Sequence, residues 1–96
     1  MIKVYLNDVL IAEGENLPVV EGNYYFPPEA IKREYYTDSE THTKCFWKGT
    51  ASYYNLKIGE TTVNDAAWYY PTPFFTASRI KNHVAFYKDK VVIKDE

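Results

Sequence analysis

The run CFWKGTASYY, residues 45–54, holds the chain's only cysteine, a lysine followed by a glycine, and a cluster of rings. Cys45 is a candidate nucleophile, with His42 as its candidate base. The pair would have to lie within hydrogen-bond reach, and a buried cysteine otherwise behaves as a small hydrophobe. Lys48 can bind a phosphate or carboxylate, or act as an amine of lowered pKa. Its Lys-Gly step lacks the upstream glycine of a phosphate loop, whose backbone N–H groups cradle the anion. Trp47, Tyr53, Trp68 and Tyr70 can wall a cleft that stacks flat ligands or holds cations on ring faces. The competing role for such rings is core packing. Two histidines and one cysteine are too few for a metal site, and no cofactor is expected. Asp38-Ser39-Glu40 has the spacing of a carboxylate pair but reads as a polar turn.

Those side chains need elements to position them. If residues 45–54 are extended, side chains alternate between faces. Cys45, Trp47, Ala51 and Tyr53 then share one face, and Phe46, Lys48, Thr50, Ser52 and Tyr54 the other. Cys45 and Lys48 are thereby separated. A glycine within a strand often marks a bulge or a close backbone approach. A bulge at Gly49 would bring Lys48 to the side of Tyr53. In AAWYY, Trp68 and Tyr70 share a face and Tyr69 takes the other.

Along the rest of the chain, IKVYL alternates, and Asn7-Asp8 suits a two-residue turn into VLIAE, giving an opening hairpin. VVEGNYYF holds two short strands around Gly22-Asn23. PPEAIKREYY is the one helix candidate, with proline in its first turn. DSET reads as a turn, and Thr43 to Ile58 as one long faulted strand. Gly59-Glu60 turns the chain back into TTVN. Pro71 to Pro73 excludes a central strand. TASRIKN predicts a helical turn capped by Thr76 or Ser78, and residues 83–96 a second hairpin around Lys88-Asp89-Lys90. The doubled tyrosines at 24/25, 35/36, 53/54 and 69/70 are unevenly spaced and define no repeat.

A length of 96 residues with an 18% aromatic share predicts one mostly β domain over 1–96. The expected arrangement is antiparallel sheets, either two packed sheets or an open barrel, with one or two short helical turns. The net charge of −2 is spread without a basic run, which gives no support to nucleic-acid binding. No apolar stretch approaches the roughly 20 residues of a membrane span. No apolar run with a cleavage site stands near the start. With one cysteine, a reducing, cytoplasmic setting is expected.

The order Tyr25-Phe26-Pro27, then CFWKGTASYY, then AAWYYPTP, then Val84 to Tyr87 resembles a family of small, mainly bacterial domains of unknown function, DUF427, sometimes labelled nucleotidyltransferase-like. The likeness covers about residues 2 to 93. It implies a β-tent-like fold, antiparallel sheets meeting at an angle around a cleft. The motif falls on Tyr25, Phe26, Pro27, Cys45, Lys48, Gly49, Ala51, Tyr53, Trp68, Tyr70, Pro73, Phe86 and Tyr87. Phe46 stands where a proline is usual, and Tyr54 where a tryptophan is common. The paired C-x-x-C zinc motifs of relatives by fold are missing, so no zinc is carried over. The resemblance implies no activity.

The expectation for function is a small-ligand site formed by Cys45, Trp47, Lys48, Tyr53, Trp68 and Tyr70, with Lys48 meeting an anionic group. One alternative is an enzyme using Cys45 or Lys48 in nucleotide or thiol chemistry. Another is a structural or homo-oligomeric interaction domain without a small ligand.

Overall fold

The computed structural model describes all residues, 1–96. Asn7 and Asp8 both take left-handed backbone angles, φ 50° and 63°. That is the geometry of a tight hairpin turn whose twist matches its strands. It joins β1 (Ile2–Leu6) to β2 (Val9–Gly14) as the alternation predicts. Glu21 and Gly22 repeat the device, φ 54° and 80°, between β3 (Val19–Val20) and β4 (Asn23–Tyr24). The helix candidate is two separate 3-10 turns, Pro28–Ala30 and Arg33–Tyr35. A third spans Phe75–Ile80, with Phe74 as its first cap and no side-chain capping bond from Thr76 or Ser78.

The remaining strands are β5 (Tyr36–Cys45), β6 (Gly49–Ile58), β7 (Thr61–Tyr69), β8 (Val84–Phe86) and β9 (Val92–Asp95). One sheet has the order β2-β1-β9, another β5-β6-β7-β8, and β3-β4 forms a small ribbon. All pairings within these sheets are antiparallel, and no sheet closes into a barrel. No helix is long and apolar enough to cross a membrane.

Three local expectations are corrected. Residues 43–58 are two strands reversing at Phe46-Trp47-Lys48, with Cys45 opposite Gly49. The DSET segment lies inside β5, where the register slips between Asp38 and His42. Residues 83–96 do not pair with themselves: β8 joins β7, and β9 joins β1.

The four-stranded sheet is covered on both faces, which explains the tyrosine doublets. On one face Tyr54, Leu56, Ala67, Val84 and Phe86 meet Val4, Leu6, Ile11 and Ala12 of the other sheet, forming the main core. On the opposite face Ala51, Tyr53, Tyr70 and Ala85 form a smaller core with Val20, Tyr25, Ala77 and Ile80. Because side chains alternate, each doublet in β6 and β7 sends one ring to each core. Phe26 ties the ribbon to the sheet by exchanging backbone hydrogen bonds with Val84, at 2.8 and 2.7 Å.

Asp65, itself left-handed at φ 52°, holds the slipped registers together. Its carboxylate accepts bonds from Ser39 Oγ (2.5 Å) and Thr41 Oγ1 (2.8 Å), and its N–H donates to Asn55 Oδ1 (2.9 Å). The hydroxyl bonds hold its pKa below the usual aspartate value against the cost of desolvation, and Lys90 adds to this. The folded pKa lies below the unfolded one. The carboxylate therefore stabilises the fold above about pH 4, and that contribution disappears as pH falls through the folded pKa. Thermal melts from about pH 7 to 3 are expected to show a steeper acid loss in the native protein than in Asp65→Asn. Equal slopes would remove Asp65 from the account of acid sensitivity.

Candidate functional site

The Phe46-Trp47-Lys48 turn positions the candidate site. Gly49, at φ +116°, closes the turn, and a Cβ there would lie 3.3 Å from Thr72 O and 3.4 Å from Pro73 Cα. The Pro71–Phe75 segment thus lies directly on the turn. Phe74 N–H donates to Lys48 O (3.0 Å) and Thr76 Oγ1 to Trp47 O (2.8 Å). Gly49 is therefore the closing residue of a hairpin rather than a bulge in a continuous strand. It permits the close approach that a glycine in this setting signals.

The reversal turns Lys48 inward. Only 7% of this lysine is exposed. Its ammonium lies 5.3 Å from the centre of the Trp47 ring and 5.5 Å from that of Tyr70, within the range of cation–ring attraction. Its salt-bridge partner is Glu21, from the β3–β4 turn. Burial works against the ammonium charge. The Glu21 hydrogen bond, with Tyr25 and Tyr70 nearby, outweighs it and holds the pKa above the ordinary lysine value. The bond to Lys48 correspondingly holds Glu21 below the usual carboxylate value. Lys48 is thus a charged cation at neutral pH and not an amine of lowered pKa. Burial raises the Tyr70 hydroxyl, although Lys48 pulls the other way.

Tyr53 and Trp68 stand opposite each other on β6 and β7 and join a second ring group. Tyr53 stacks on Tyr87 (6.4 Å, 10°), and Trp68 meets Tyr87 at 4.7 Å. Trp68 Nε1 donates to Tyr25 OH (3.2 Å), and Tyr53 OH shares a 2.9 Å bond with Thr43 Oγ1. The bond with Tyr53, together with burial, pushes the Tyr87 pKa up to about 12. The six sequence candidates therefore divide. Trp47, Lys48 and Tyr70 surround one charge, whereas Tyr53 and Trp68 build an adjoining ring stack. Cys45 is half-buried against the same small core. It lines an outer pocket of about 560 Å³ with Lys44, Phe46, Gly49, Thr50 and Phe74. Cys45 and Lys48, separated by simple alternation, are brought to one side by the turn.

His42 pairs with Ser52 across the strands, Nδ1 to Oγ 3.2 Å, rather than with Cys45. Sequence reasoning did not single out Glu21. Its only local mark is the Gly22 turn, and the ion pair depends on two turns 27 residues apart. Tyr87 and Tyr25 were visible only as motif positions.

The family model described as "Domain of unknown function (DUF427)", with the short label NTP_transf_9, matches residues 1–95. No curated protein matches the chain.

Proposed function

Since the chain belongs to the DUF427 family, a family described without a function, we propose from the site's geometry that it is a small-ligand-binding domain whose Lys48 receives an anionic group. The observation that carries this reading is the Lys48 ammonium, buried between two ring faces and neutralised by a side chain that is itself 54% exposed. The Glu21 side chain is largely open to solvent, so its carboxylate can move into water when a ligand's anion takes its place beside Lys48. A buried cation left without any anion would be costly. The Glu21 carboxylate marks the position that the ligand's anion would take. Glu21 also occupies a left-handed turn position that asparagine or glycine fills more readily, so local turn chemistry does not account for a glutamate there. Trp47 and Tyr70 supply flat surfaces beside the anion.

Glu21→Gln removes the resident counter-charge while keeping its shape. Thermal shift with phosphate, acetate and nucleotides is expected to show a larger rise in Tm for this variant than for the native protein, since ligand binding to the folded state raises Tm by mass action. Lys48→Met, which keeps the buried stem, is expected to abolish the rise. If no anion shifts either protein, or a shift survives Lys48→Met, the reading fails. The enzymatic alternative for Cys45 loses its proposed base, because His42 bonds to Ser52.

A further inference from the structure

The main-core side of the four-stranded sheet carries a separate cavity, of about 240 Å³, lined by Pro28, Arg33, Tyr54, Tyr69, Asn82 and Val84. Five parts of the chain converge there: the first two 3-10 turns, the paired strands β6 and β7, and the segment entering β8. Tyr54 and Tyr69 stack at 4.5 Å and 18°. The Arg33 guanidinium lies 5.9 Å from the Tyr54 ring centre. Tyr36 meets the same ring edge-on at 5.6 Å, so Tyr54 is a fixed platform rather than a mobile wall.

Arg33 has no carboxylate partner. The chain's ion pairs are Met1 with Asp95, Lys3 with Glu96 and Lys48 with Glu21. A guanidinium resting on a ring face keeps its in-plane N–H donors free, and their fork matches a carboxylate with two parallel bonds. Asn82 is held by its backbone. It is left-handed at φ 61°, and its N–H donates to Tyr70 O at 3.0 Å. Its side-chain amide remains available at the cavity wall as donor and acceptor. The charge around the cavity is asymmetric. Burial, the Tyr54 hydroxyl and Asp38 raise the Tyr69 hydroxyl's pKa, so the Tyr69 end adjoins a carboxylate, while Arg33 at the other end forms no ion pair.

We propose that this cavity is a second binding site, for a small planar carboxylate. Its anionic group is gripped by Arg33 and Asn82, and its flat body lies against Pro28, Val84 and the rim of the tyrosine pair. The volume equals about eight waters' share of liquid. That admits a single ring with its carboxylate. The site is independent of Lys48, which belongs to the opposite face.

The test is a titration of the full chain with benzoate, followed through the Asn82 side-chain amide and Val84 methyl resonances. Saturable shifts at both are expected within about 10 mM ligand, the range of a small weak binder. Arg33→Gln is expected to weaken binding roughly ten- to hundredfold, the effect of losing charged hydrogen bonds. Arg33→Lys keeps the charge without the fork and is expected to bind no better than Arg33→Gln. In Lys48→Met, which removes only the anion site on the opposite face, the Asn82 and Val84 shifts should saturate at the same benzoate concentration as in the native protein. Arg33 is exposed, so its variants are expected to melt as the native protein does. Absence of saturable shifts, native affinity in Arg33→Gln, or loss of binding in Lys48→Met would each overturn the site. Inorganic phosphate binding as tightly as benzoate would overturn the assignment to a planar carboxylate.

Discussion

Phe26→Ala is expected to cost about 3–5 kcal/mol, the range for truncating a buried aromatic. Phe26 is fully buried and meets Phe86 edge-on at 5.5 Å. It sits where the β3–β4 ribbon joins β8, so neighbouring backbone cannot readily collapse into the space. Total stability for 96 residues should be about 5–14 kcal/mol, so this one change removes a large share. A fall in Tm of at least about 12 °C follows. Phe46→Ala supplies the contrast, because Phe46 is 95% exposed and the change should stay within about 0.5 kcal/mol. Urea melts of both variants test the pair. Similar losses in the two would contradict the burial argument.

Gly49→Ala is expected to cost about 2–3 kcal/mol through strain at a special backbone position. Two effects add. The φ of +116° is one that residues with a Cβ rarely adopt, and the new methyl meets backbone atoms of Thr72, Pro73 and Phe74. Backbone yields less than a flexible side-chain tip, so the Pro71–Phe75 segment must lift from the turn. That movement strains the Phe74 N–H to Lys48 O bond and loosens the wall around Lys48. The variant should therefore show a Tm lower by roughly 8–24 °C, together with a weaker anion response. A variant that melts like the native protein would show that the contact can relax at no cost.

The legible parts of the fold were those with local causes. Asn7-Asp8 and Gly59 turn the chain because these residues tolerate left-handed angles, and the alternation of β1 needs no distant partner. The errors share a different cause. Cys45-Phe46-Trp47-Lys48 has high strand propensity and no ordinary turn signature. Its reversal is held by Thr72 to Thr76, some 25 residues later. DSET has turn composition, yet β5 is the free edge of its sheet, where polar residues are tolerated. Ser39 and Thr41 are fixed there by Asp65. At the site, the shared face of Trp68 and Tyr70 followed from alternation alone. The pairing of Lys48 with Glu21 did not, because no window of sequence contains both turns. Arg33 was hidden for a related reason: it fell within a segment read for its helix-forming pattern, and its ring partner lies on β6.

The pairing of β1 with β9 bears on how the chain folds as it is made. Ile2 lies opposite Asp95 and Val4 opposite Ile93, so β1 waits for a strand made much later in the chain. Contacts so distant in sequence slow folding, since a long loop must close before they form. Until then β1 has only β2 as a neighbour, and the apolar side of that hairpin is uncovered. The β5-β6-β7 hairpins close through short turns and can form earlier. The expected order is a four-stranded sheet first, with the three-stranded sheet completed once β9 is available to pair with β1. A nascent chain lacking residues 92–95 would then be protease-sensitive at β1 while β6 and β7 already resist.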